Sequence, residues 1–221
     1  MISIVIRTKN EADNLECCIK QLMKQTMKNE IIIVDSHSTD NTPDIVERYN
    51  CILVQCDDPF SYGRALNMGL GRTSSRYVCI LSSHCFPKGK QFLYNMWQNF
   101  KDKTVAGVYA RQIPHRFTNP VEYRNFLHIY GNERIIQCCS PLFNNGASMI
   151  DKKVWRDIRF DETVVAQEDM LWAKQVIDNG YKIVYEPGSI VEHLHNENLL
   201  QTVSRYEIET RALQKMRFIE W

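Results

Sequence analysis

Five short polar clusters in this 221-residue chain hold residue types able to do chemistry. They read Arg7-Thr-Lys-Asn-Glu11, Asp35-Ser-His-Ser-Thr-Asp40, Ser82-Ser-His-Cys85, Gln167-Glu-Asp169 and Glu192-His-Leu-His195. Adjacent carboxylates such as Glu168 and Asp169 can take the proton of an attacking hydroxyl; they can equally stabilise a helix N-terminus. His193 and His195 alternate, so in an extended segment their imidazoles face one side together. Arg64, within Phe60-Ser-Tyr-Gly-Arg-Ala-Leu-Asn67, carries the guanidinium fork that binds phosphate bidentately. Its alternative is a surface ion pair with Asp57 or Asp58. The loop from Asp35 to Asp40 is also good turn and cap chemistry, and Asp40 suits the cap of a following helix.

These clusters sit at the ends of apolar runs. Residues 3–7, 31–34 and 51–54 read as buried β-branched strands, with helical spacing over 15–27 and a proline-opened helix over 42–49 between them. This β-α-β-α-β order predicts a parallel sheet with helices on its faces. Further helices are expected over 62–71, from 87 onward, over 119–130, over 167–179 and from 199 to 217. Further strands are expected at 77–81, 105–112, 149–150 and 182–185. In such sheets ligands bind beyond the carboxyl ends of the strands, which is where the clusters fall. Trp172, one turn into its helix, reads as core rather than a sugar platform, and Tyr123, Phe126 and Tyr130 as core or groove lining.

Composition sets bounds on function. Lys and Arg total 27 against 26 Asp and Glu, a formal net charge of +1. That balance gives no electrostatic case for a nucleic-acid partner, whose footprint is a basic excess. The eight cysteines include two adjacent pairs and no C-x-x-C, and the apolar run begins directly after Met1 with no basic leader. The reading is reduced thiols in a cytoplasmic protein. No apolar stretch reaches the ~18–20 residues of a membrane span. The chain lacks G-x-G-x-x-G, the P-loop pattern and G-x-S-x-G, which disfavours dinucleotide enzymes, P-loop NTPases and α/β-hydrolases.

Taken in order, the motifs resemble those of family 2 glycosyltransferases, in the bacterial rhamnosyltransferase-like branch. The resemblance runs from about 3 to 195 through Ser-Ile-Val-Ile-Arg-Thr-Lys-Asn-Glu, Ile-Ile-Val-Asp-Ser-His-Ser-Thr-Asp, 60–67, Leu-Ser-Ser-His-Cys-Phe-Pro, Glu168-Asp169 and Glu192-His-Leu-His195. It implies an α/β fold of GT-A type, with a Rossmann-like, mostly parallel central sheet flanked by helices. It also implies one catalytic domain over 1–221, with a core at about 3–195 and a C-terminal amphipathic helix at 199–217. The implied reaction is inverting transfer of a sugar from a UDP- or dTDP-sugar to a glycan or glycolipid hydroxyl. Peripheral association with a membrane or a partner domain remains open.

The resemblance also distributes roles. Asp169 is the expected base, and Glu168 orients it or meets the acceptor. Asp35 would accept the N3–H of uracil or thymine, so it cannot separate the two. Arg7, Lys9 and Glu11 would hold phosphate and ribose, and Arg64 and Asn67 would lie near the diphosphate. Ser83, Gln112 and Asn145 complete the expected donor contacts. Where the family carries Asp-x-Asp for Mn²⁺ or Mg²⁺, this chain has Ser82-Ser83-His84. An imidazole suits Mn²⁺ better than hard Mg²⁺. Two readings stay open: His84 holds a divalent ion together with His193 or His195, or metal is weak or dispensable and cations neutralise the diphosphate. Competing functions are a silent nucleotide-sugar-binding module, disfavoured by the Glu168-Asp169 pair, and a sugar nucleotidyltransferase, disfavoured by the missing Gly-rich loop after the first strand.

Overall fold

The computed structural model describes residues 1–57, 59–139, 141–194 and 198–215. The chain runs β1 (Ile2–Thr8), α1 (Ala12–Leu22), β2 (Asn29–Asp35), α2 (Thr42–Arg48), β3 (Ile52–Gln55), α3 (Tyr62–Arg72), β4 (Tyr77–Ser82), β5 (Cys85–Pro87) and α4 (Phe92–Trp97). It continues with β6 (Val105–Pro114), α5 (Pro120–Ile129), β7 (Ile135–Gln137), β8 (Ala147–Asp151), α6 (Lys152–Asp157), α7 (Glu168–Asp178), β9 (Lys182–His193) and α8 (Leu199–Lys215). Among the described residues no helix is long and apolar enough to cross a membrane.

The strands form one sheet in the order β3-β2-β1-β4-β8-β6-β9-β5, with β7 also pairing β9. Its first four strands are parallel, as the β-α-β reading predicts. Beyond β4 the sheet is mixed: β8 runs antiparallel to both β4 and β6, and β6 is parallel to β9. The alternation of side chains along β1 serves two cores. Ile4 and Ile6 pack on the face covered by α1 and α4, whereas Val5 packs on the face covered by α3 and α7.

Helix starts follow local chemistry. Ser61 caps α3 through the Arg64 N–H, and Asn119 caps α5 through the N–H groups of Val121 and Glu122, with Pro120 next. Asp40 accepts the N–H of Thr42 and, from across the loop, that of Ala12. Helix α3 lies unusually close to its neighbours. A Cβ at Gly69 would fall 2.6 Å from Val5 Cγ1, and one at Gly63 would fall 2.1 Å from the Asp161 carbonyl oxygen.

The sheet differs from the sequence expectation most at β9. Residues 182–185 are only its first part; the pairing with β6 jumps from Ala110–Glu186 to Arg111–Ile190. The intervening Pro187-Gly188-Ser189 is a bulge inside one 12-residue strand, not its end. The strands β5 and β7 and the helix α6, all six residues or fewer, were not expected. Trp172 is fully buried and donates to the Ile158 carbonyl, as a core residue. Phe126 and Tyr130 are buried and Tyr123 is exposed.

Candidate active site

Two cavities open beyond the carboxyl ends of the parallel strands. One, about 440 Å³, is lined by Arg7, Thr8, Lys9, Glu11, Ser36, His37, Cys56, Phe60, Tyr62 and 82–84. The other, about 650 Å³, lies between the 144–146 turn, the start of α7 and one face of α8. Arg7, Tyr62, Ser82 and His84 line both and form the junction.

Arg7 stands at that junction. Its guanidinium lies 4.8 Å from the Tyr62 ring centroid, and Nη1 is 3.5 Å from Glu168 Oε1. Its buried Nε and Nη1 donate no hydrogen bond among the described residues. Buried donors of this kind are costly unless a ligand takes them, and a guanidinium suits a phosphate oxygen.

Glu168 and Asp169 open α7 in the larger cavity. The residue before them, Gln167, has φ +63°, a left-handed conformation that non-glycine residues adopt at some cost. The Asn145 N–H donates to Asp169 Oδ2 at 3.0 Å, and the Met170 N–H donates to Oδ1 at 2.8 Å. Burial, and after it the like charge of Glu168, push the Asp169 carboxyl up to about 7, and the two N–H bonds and Arg7 offset only part of this. A carboxyl with this value serves as a general base near neutral pH.

The histidines form a second cluster. His84 Nδ1 lies 2.9 Å from Glu11 Oε2, and the Ser83 hydroxyl donates to the same carboxylate. Burial raises the Glu11 carboxyl, but the hydrogen bond and charge of His84 and the Ser83 hydroxyl outweigh it, and the net value is low. The His84 and His193 rings stack with centroids 5.0 Å apart at 14°. His193 Nδ1 lies 2.6 Å from Gln112 Oε1, and Gln112 Nε2 donates to Asn144 Oδ1 at 2.9 Å. Oxygen acceptors on both Nδ1 atoms select the tautomer with its lone pair on Nε2, the arrangement that second-shell groups give to ligating histidines. The near-parallel stacking of the rings does not by itself bring the two Nε2 lone pairs to a single point. Among the described residues no cluster of three His, Cys, Asp or Glu side chains could hold a metal. His195 lies outside the described residues.

The expected site residues fall into three groups. Arg7, Lys9, Glu11, Ser83, His84, Glu168, Asp169 and His193 line the cavities. Gln112 and Asn145 are 1% exposed and line neither; they hold His193 and Asp169 in place. Asp35, Arg64 and Asn67 line neither cavity, although Asp35 lies beside Thr8, Ser36 and Cys56, which line the smaller one. Both Asp35 oxygens accept the Ser38 N–H, a loop cap. Arg64 Nη1 reaches the Pro59 carbonyl. Asn67 ties α3 to the Phe160 carbonyl, Glu162 and the Trp155 indole. Tyr62 was not singled out by residue type, although it is an aromatic within 60–67. The C-terminal helix was a candidate for acceptor contacts from its amphipathic pattern, and its packing decides which of its residues line the larger cavity.

The fold is of GT-A type. A mannosyltransferase from Pyrobaculum calidifontis, solved with GDP-Man and Mn²⁺, superposes at TM-score 0.77 with 19% identity, over 100% of this chain and 65% of that one. Staphylococcus aureus TarS 1-349, solved with UDP-GlcNAc, gives 0.69 and 16% over 89% of this chain and 59% of that one. The glycosyl transferase family 2 model matches residues 3–158, and the chain belongs to that family. It is 33% identical over 198 residues to the O-antigen chain rhamnosyltransferase WbaN of Salmonella anatum, covering 83% of this chain and 62% of that protein. It is 26% identical over 221 residues to RfbN of Salmonella typhimurium, covering 93% and 70%.

Proposed function

We propose that the chain transfers a sugar, with inversion, from a UDP- or dTDP-sugar to a hydroxyl of a glycan or glycolipid acceptor, as a cytoplasmic enzyme of polysaccharide or glycoconjugate synthesis. The observation that carries this reading is Asp169, a cavity carboxyl raised to about 7 and held by two backbone N–H groups, in the same cavity as the hydrogen-bond-hungry Arg7. Asp169 takes the acceptor O–H proton as the acceptor oxygen bonds to sugar C1. The bond from C1 to the phosphate oxygen breaks and its electron pair leaves with the nucleoside diphosphate. Arg7 neutralises charge growing on that leaving group, at the junction where donor and acceptor meet. Cavity walls of Lys9, Glu11 and Phe60 support a nucleoside in the smaller cavity. Similarity to two rhamnosyltransferases favours a deoxyhexose donor.

His84 and His193 would hold a divalent ion, Mn²⁺ rather than Mg²⁺, with donor oxygens completing its shell. When bound, it would add positive charge beside the diphosphate. Among the described residues two imidazoles are available to such a site, with His195 the further candidate by sequence, and metal would enhance turnover rather than be absolutely required. A thermal-shift panel of UDP-, dTDP- and GDP-sugars, each with and without Mn²⁺, tests the reading. A rise in melting temperature with a UDP- or dTDP-sugar supports it; no shift with any nucleotide sugar contradicts it.

A further inference from the structure

One face of α8 forms a wall of the larger cavity. Gln201, Ser204, Arg205, Ile208 and Glu209 line it, and their spacing of i, i+3, i+4, i+7 and i+8 is that of a single helical stripe. The stripe faces the cavity that holds Asp169, away from the smaller nucleoside-sized cavity, to whose lining α8 contributes nothing. Its composition is four hydrogen-bonding side chains around one aliphatic residue, the mixture that fits the hydroxyls and C–H face of a pyranose.

The wall is fixed from behind. Glu122 of α5 is 4% exposed, and its carboxylate accepts from both the Arg205 guanidinium and the Tyr206 hydroxyl. Asn125 donates to the same hydroxyl, and Asn119 donates to Thr202 Oγ1 at 3.1 Å. Arg205 Nη1 also donates to Glu209 Oε1 at 3.1 Å. The Arg205 charge is thus matched by two carboxylates before any ligand arrives. Glu168 and Glu209 match Arg7 and Arg205 in the cavity lining, so the stripe presents no unmatched cation to an anionic group.

Resting on the glycosyl-transfer reading, we infer that this stripe of α8 is the acceptor-recognition surface, and that it selects an uncharged sugar over a uronic acid or a phosphorylated one. Glu209, Gln201 and Arg205 hydrogen-bond acceptor hydroxyls, and Ile208 packs on the ring. Glu122 is a positioning residue that sets the Arg205 and Tyr206 side chains. With Arg205 already engaged by Glu122 and Glu209, the stripe offers an anionic acceptor no charge partner.

The test uses the full chain, the donor identified by thermal shift, and a panel of p-nitrophenyl hexosides with matching uronides as acceptor probes. Gln201→Ala, which leaves the Glu122 cluster intact, and Glu209→Gln, which weakens one of the two carboxylate contacts on Arg205, should each raise the acceptor KM about tenfold, the size expected for losing a hydrogen bond to a ligand. The donor KM and the acceptor-independent hydrolysis of donor should stay within about twofold. Glu122→Gln should raise acceptor KM with little change in kcat, a split that general destabilisation would not produce. Neutral hexosides should outperform their uronides. Unchanged acceptor KM, an equal rise in donor KM, or preference for a uronide overturns the assignment. A wild-type chain that neither binds nor hydrolyses any nucleotide sugar overturns the transferase reading and this inference with it, whereas normal donor hydrolysis with α8 variants that behave as wild type overturns the α8 inference alone.

Discussion

The two cavities share a wall yet are built by different means. The smaller is made by loops that leave parallel strands β1, β2 and β4, each loop short and held by its own strand end. The larger gathers a turn before β8, the first turn of α7, the end of β9 and a helix at the far end of the chain. The first joins the ends of neighbouring parallel strands across the sheet, as in Glu11 to Ser83 and His84; the second ties together elements from the second half of the chain, as in Asn145 to Asp169 and Glu122 to Arg205. The difference suits a division in which one half holds a constant nucleotide and the other recognises a variable partner and does the chemistry.

That division can be broken from either side. The largest effect belongs to Asp169→Asn. It should lower kcat about 10³-fold, while the donor-induced thermal shift stays near wild type, because the nucleoside half is untouched. Arg7→Gln acts at the junction and should weaken both donor binding and turnover, each by roughly 10- to 100-fold, as expected for a charge-assisted bond lost at a buried site. His84→Ala should raise the Mn²⁺ concentration for half-maximal stimulation about tenfold and leave metal-free turnover within a few-fold; identical metal titrations would remove His84 from the ligand set. Gly63→Ala sharpens the contrast from the structural side. Its Cβ meets the Asp161 carbonyl at 2.1 Å, so α3 must shift, with a stability loss of about 1–3 kcal/mol in chemical denaturation.

The two halves were also unequally legible in the sequence. The β-branched runs at 3–7 and 31–34 specify buried parallel strands by composition alone, whereas the run at 51–54 becomes the edge strand β3, of which Val54 is the buried residue; the polar loops after them mark the site. In the second half, Pro187 and Gly188 mimic a strand end, although the strand continues through a bulge. The three-residue strands β5 and β7 are too short to show a period. Site residues followed the same rule. The loop residues Glu11, Ser83 and His84 and the Glu168-Asp169 pair were visible as motif clusters. The parts of Asp35, Asn67, Gln112 and Asn145 were not, because residue type says that a polar group needs a partner and only packing says which. Asn67 is the plainest case: an amide expected near a diphosphate instead satisfies a carbonyl, a carboxylate and an indole N–H inside the fold.

The central claim is that burial beside Glu168 tunes Asp169 into a base for neutral pH. A carboxyl raised from its ordinary range to about 7 binds its proton more tightly in the folded than in the unfolded chain. Its contribution to stability is therefore present at low pH and is lost as pH rises through about 7, so ionisation of Asp169 opposes folding. The most direct test is the pH dependence of kcat for the wild-type chain between pH 5 and pH 9, with saturating donor and acceptor. The expected result is a rate that climbs about tenfold per pH unit and levels off near pH 7. A profile flat from pH 5 to pH 9, as an ordinary carboxylate would give, would contradict the assignment of Asp169 as the base.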